Sequence, residues 1–147
     1  MYSLKNVKSF DTDDGYAFSA TIYKGKEKIA TVENSGRGGC NFYHFVTMQA
    51  SLDFKEFVQT TEHKDDFEAD DSYVEELFIE WEKEKTYKRW CKKAIVFRLK
   101  TDEGEGFRTI SPKNKAAWSD TLKMMYIAKI KAEHGDNIEE ILNERYV

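Results

Sequence analysis

Apolar positions alternate with polar ones in the first third of the chain. Tyr16, Phe18, Ala20 and Ile22 fall on one face, and Ala17, Ser19, Thr21 and Tyr23 on the other. That period of two predicts a β-strand. Lys24-Gly25-Lys26-Glu27 supplies a turn, and Lys28 to Glu33 returns as a second strand. Ser3 to Phe10 reads as a partner strand joined through the polar turn Asp11 to Gly15, so an N-terminal antiparallel meander is expected.

The period then changes. Ser51 to Thr61 reads as helix, with Leu52, Phe57, Val58 and a less well placed Phe54 as its apolar set. Ser72 and Glu75 fit a capping box. Val74, Leu77, Phe78 and Trp81 follow at helical spacing, predicting an amphipathic helix to about Lys85 or beyond. Ala94 to Leu99 alternates again, Asp102 to Gly106 turns, and Phe107 to Ile110 returns as a second hairpin. Ser111-Pro112 suits a helix entry. Trp118, Leu122, Met125 and Tyr126 mark one face of a helix running to about Glu133 and ended by Gly135. A short last helix, capped by Asp136, would carry Ile138, Ile141 and Leu142. The expected fold is a single α+β domain over residues 1–147: one antiparallel sheet, made of the meander and the later hairpin, with helices on one face.

Composition sharpens this picture. Of 147 residues, 14% are aromatic, which supplies a core and argues against a disordered tail. No apolar run approaches the roughly 18–20 residues of a membrane span. Met1-Tyr2-Ser3-Leu4-Lys5 lacks the basic and apolar blocks of a secretion signal. A cytoplasmic protein with no membrane association is expected. Cys40 and Cys91 are expected to be reduced thiols.

Charge is unevenly placed. Glu62 to Lys85 holds 11 acidic residues and three lysines, net −8, whereas Thr86 to Lys115 is net +6. Closely spaced carboxylates can imitate nucleic-acid phosphates and occupy a partner's basic channel; most acidic helices are simply solvated faces. The overall charge of −4 argues against direct nucleic-acid binding.

No catalytic constellation is visible. His44, His63 and His134 sit in no catalytic motif, and there is no phosphate loop, dinucleotide fingerprint or nucleophile elbow. Cys40 and His44 offer two soft donors where a structural zinc site takes about four, so no metal and no cofactor are expected. The candidate ligand site is the loop Gly36-Arg37-Gly38-Gly39. Its glycines let amides converge on an anion, and Arg37 adds a clamp for phosphate or carboxylate. Asn41 adds hydrogen-bonding groups, and Tyr43 and His44 offer faces for stacking a base. Arg98 and Arg108 on the second hairpin would close the site, within one chain or across a homo-oligomer. The competing reading is a structural crossover, with glycines at a tight bend and aromatics in the core.

Gly15 to Asn34 with the loop Gly36 to Cys40, Ala94 to Lys100, and the ending Gly135 to Tyr146 together resemble small bacteriophage and prophage accessory proteins of unassigned function. The resemblance implies a non-enzymatic binder in counter-defence, similar to sponges that antagonise Thoeris or cyclic-oligonucleotide defence. Its partner would be a nucleotide-like signalling molecule. The alternative is an acidic inhibitor of a host nuclease or other nucleic-acid-binding defence protein. The resemblance assigns no residue a role.

Overall fold

The computed structural model describes residues 1–114 and 118–146. It is an α+β fold built from antiparallel sheets. The chain divides into two compact units, Met1–Glu82 and Lys83–Val147.

The first unit carries a four-stranded meander in the order β1 (Tyr2–Thr12), β2 (Gly15–Lys24), β3 (Glu27–Asn34) and β4 (Phe42–Phe45). Phe18, Ala20 and Ile22 are buried as their alternation predicts. Ile22 lies opposite Ala30 and Ala20 opposite Val32, so small and branched side chains interleave on one face. The aromatic stretch at 42–45, which has no clear period of its own, is the fourth strand, paired with β3 from Glu33 to Ala30.

Helix α1 (Met48–Val58) begins earlier than Ser51 because Thr47 caps it, its Oγ1 accepting the Ala50 amide at 3.0 Å. Phe54, the poorly placed member of the predicted set, is fully buried with Val58, whereas Leu52 is exposed. Tyr2 meets the Phe54 ring edge-on at 5.2 Å.

Helix α2 (Ala69–Lys93) starts a turn before the predicted capping box. Glu68 adopts φ 56°, and its carbonyl accepts the amides of Asp71 and Ser72. Ser72 therefore lies inside the helix rather than at its cap. Tyr73, Val74 and Phe78 are the buried face of its first half. The division between the two units falls within this helix.

In the second unit, β5 (Ile95–Leu99) is the central strand of a three-stranded antiparallel sheet, between β6 (Arg108–Ile110) and β7 (Ile138–Ile141). The later hairpin thus belongs to its own sheet and does not extend the meander. Residues 138–141, expected as helix, are strand, because Phe97, Arg98 and Leu99 offer an edge with which they pair. The strand is followed by the single helical turn α4 (Leu142–Arg145).

Helix α3 (Asp120–His134) starts at the Ser119 cap, whose Oγ accepts the Leu122 amide at 3.2 Å; Ser111-Pro112 lies outside it. Gly135 ends the helix at φ 50°, as expected. Ile95, Phe97 and Leu99 pack with Ile130 and Ile141, and Val96 packs with Cys91 and Leu142. Buried Asn143 accepts the Val96 amide at 2.8 Å and donates to the Ala94 and Cys91 carbonyls, pairing backbone groups at the end of α2 and the start of β5.

Candidate functional site: an acidic groove beside the glycine loop

The loop after β3 is held by side chains that its sequence supplies. Asn34 Oδ1 accepts the Gly36 amide at 2.8 Å, and its Nδ2 donates to the Gly39 carbonyl and to Asn41 Oδ1. Thr12 Oγ1 donates to the Gly36 carbonyl at 2.6 Å. Gly36 has φ 74°, and a Cβ there would lie 2.7 Å from the Ala17 amide nitrogen and the Tyr16 carbonyl carbon. Glycine is required at 36 by both conformation and space.

The loop's far end docks on the first turn of α2. The Asn41 amide donates to Asp71 Oδ2 at 3.0 Å, and the Tyr43 hydroxyl donates to Asp71 Oδ1 at 2.7 Å. Asn41 Nδ2 donates to that hydroxyl at 3.3 Å. Burial, with the Asp71 carboxylate beside it, pushes the Tyr43 pKa far above the usual phenol range. The anion that this end of the loop holds is therefore the chain's own Asp71. The Tyr43 ring stacks on Phe45 at 5.7 Å and meets Phe54 at 6.3 Å, so it serves the core.

Between loop and helix lies a groove of about 460 Å³. Four carboxylate residues line it: Asp14 from the β1–β2 turn, Glu68, and Asp71 and Glu75 from α2. Among the described residues, no lysine or arginine lines it. Tyr16 and Phe18 line it too, with Tyr16 stacked on Phe78 at 5.0 Å. The Tyr16 phenol is raised by burial and by Glu75 and Glu82. Phe67 lines the same groove while remaining 92% exposed. A surface of this sign attracts cations and repels phosphate.

No family model matches the chain, and no curated protein or solved structure matches it significantly.

The sequence-predicted residues are distributed as follows. Arg37, Gly38 and Gly39 are exposed, and both glycines line the groove. Asn41 and Tyr43 are brought together at Asp71, while His44 is exposed on β4, opposite Thr31. Arg98 and Arg108 lie in the second unit, where each has partners within the 98–108 turn. Arg108 grips Asp102 through Nε at 3.0 Å and Nη2 at 2.6 Å. Arg98 donates to the carbonyls of Asp102, Gly104 and Gly106 and pairs with Glu139 at 2.6 Å. Hydrogen bonding by Arg108 holds the Asp102 carboxyl down at about 2. These two arginines fasten a turn.

Sequence reasoning missed Asp14, Glu68, Asp71 and Glu75 as one constellation. They come from two segments more than fifty residues apart in the chain, and no spacing rule links them. The acidic run from Glu62 was the available signal.

Among the described residues, no helix is long and apolar enough to cross a membrane.

Proposed function

We propose that this chain is a non-enzymatic binding protein that docks through the acidic groove of its first unit onto a basic protein surface, one that otherwise receives nucleic acid. The observation carrying this reading is the exposed Phe67 ring beside a groove lined by Asp14, Glu68, Asp71 and Glu75. An exposed aromatic gains burial in a partner's pocket, and surrounding carboxylates select lysine- and arginine-rich surroundings for that pocket. Further exposed acids of the first unit, Glu76, Glu80 and Glu82, continue along α2 and extend the negative field. The resemblance to phage accessory proteins supports a partner in host defence, with a nuclease as the natural class.

Affinity capture from bacterial lysate, with the captured protein identified, purified and challenged with duplex DNA, tests the reading. The expected result is mutual exclusion of DNA and this chain. A purified partner that binds both at once would contradict it.

A second reading keeps a phosphate-bearing nucleotide on the outer side of the glycine loop. It is favoured by exposed Arg37 and by open space around Gly38 and Gly39. Mass spectrometry of small molecules released from heat-denatured protein tests it. Arg37→Ala should then weaken calorimetric binding of the released species by about 1.5–3 kcal/mol, as for a lost charged hydrogen-bond partner.

A further inference from the structure

The turn joining α1 to α2 contains a second constellation, outside the groove. His63 lies on this turn with its side chain 18% exposed, and its two ring nitrogens face carboxylates. Nδ1 is 3.0 Å from Asp66 Oδ2, Nε2 is 2.7 Å from Glu76 Oε2 on α2, and Nε2 is 3.9 Å from Glu62 Oε1. Donor atoms of Glu62, His63 and Glu76 all lie within 4.8 Å of one another.

We propose that His63, Glu62 and Glu76 bind a single divalent ion of the zinc class, with Asp66 as the outer carboxylate that orients the histidine.

A four-coordinate ion holds nitrogen and oxygen donors at about 2.0–2.2 Å, which sets them roughly 3.3–3.5 Å apart. The observed 2.7 and 3.9 Å from Nε2 lie on either side of that separation. Glu62 is 81% exposed and Glu76 46% exposed, so both carboxylates have room to adjust. The histidine is the fixed member. Its amide donates to Thr61 Oγ1 at 3.3 Å, and its ring meets Tyr73 edge-on at 6.4 Å.

Asp66 completes the logic. A metal-bearing imidazole generally gives its other N–H to a carboxylate, which leaves the lone pair on the metal-facing nitrogen. Asp66 at Nδ1 does this and assigns Nε2 to the ion. Without an ion both ring nitrogens still face carboxylates, Asp66 at Nδ1 and Glu76 at Nε2. The titratable groups facing the ring are Glu62 and Asp66 from the turn and Glu76 and Tyr73 from α2. The ion would sit between Nε2 and the Glu62 and Glu76 carboxylates that already face it. One imidazole with two carboxylates suits zinc better than the all-oxygen shells of calcium or magnesium. Three protein donors leave a coordination position for water. Sequence spacing hides the site because Glu76 lies 13 residues beyond His63 and meets it only across the turn.

The test is calorimetric titration of chelator-treated protein with zinc chloride near pH 6, with histidine ring resonances followed by NMR. The expected result is one zinc per chain and movement of the His63 resonances but not those of His44 or His134. His63→Asn and Glu76→Gln should each weaken binding at least tenfold, and Asp66→Asn about tenfold or more. Absence of one-to-one binding, or saturation that leaves the wild-type His63 resonances unmoved, overturns the proposal without reliance on any variant's folding.

Discussion

The Tyr43 hydroxyl donates a 2.7 Å hydrogen bond to Asp71, 28 residues along the chain. With the Asn41 amide on the other carboxylate oxygen, this contact ties β4 and the glycine loop to the first turn of α2. It also removes one of the groove's four carboxylates from free use. Asp71 is structural, and Asp14, Glu68 and Glu75 carry the available charge.

Tyr43→Phe should therefore destabilise the protein while leaving the groove's charge intact. A hydrogen bond to a charged group is worth about 1.5–3 kcal/mol, and the loss should fall in that range. Urea denaturation followed by tryptophan fluorescence measures it. A midpoint unchanged from wild type would show that the loop is not anchored through Asp71.

Two glycines in the loop should behave differently. Gly36→Ala meets backbone atoms at 2.7 Å and a left-handed conformation together, so it should fail to fold or lose several kcal/mol. Gly38→Ala meets open space and carries only the cost of φ 80°, about 1–2 kcal/mol. Thermal melts of the two variants side by side check the ordering.

Strand patterning was legible where one face is more deeply buried than the other, as in β2, because alternation then records the environment directly. The second hairpin was legible from its β-branched run and the glycine turn after it, and the end of α3 from Gly135, which takes a positive φ. Helix starts were not: Thr47 sets the start of α1 through a side-chain cap and Glu68 that of α2 through a positive φ, and neither stands out from the apolar spacing. Strand β7 was hidden because Ile138 and Ile141 fit a helical spacing as well as a short strand, and only an available edge on β5 decides between them. The glycine loop stood out in sequence, but its anion partner did not. Asp71 looked like one acid among many, and its pairing with Asn41 and Tyr43 is a tertiary fact. Arg98 and Arg108 read as arginines that close a ligand site, whereas the turn between them supplies acceptors for both.

Stability should fall at both ends of the pH range, for opposite reasons. His63 hydrogen-bonds Asp66 and Glu76, which raise its pKa above 6.5 in the folded protein. Its contribution is complete below about 6.5, the unfolded value, and is lost as pH rises through the folded value. Asp102 is depressed from 3.8 to about 2 by Arg108. Its contribution is present above the unfolded value and lost as pH falls from there toward about 2. Urea midpoints measured across pH in the presence of chelator should show both limbs. His63→Asn should flatten the alkaline limb and Arg108→Gln the acid one.

The most direct test of the protein-directed reading is the association rate of the captured partner with wild type and with a variant carrying Asp14→Asn, Glu68→Gln and Glu75→Gln. That variant spares Asp71 and so leaves the anchored loop intact. Wild-type association should slow at least tenfold as ionic strength rises from about 0.01 M to about 0.15 M, because the screening length drops from about 30 Å to about 8 Å. The triple variant should start slow and respond weakly to salt. Equal rates for the two proteins, unaffected by salt, would contradict the assignment of the acidic groove as the docking surface.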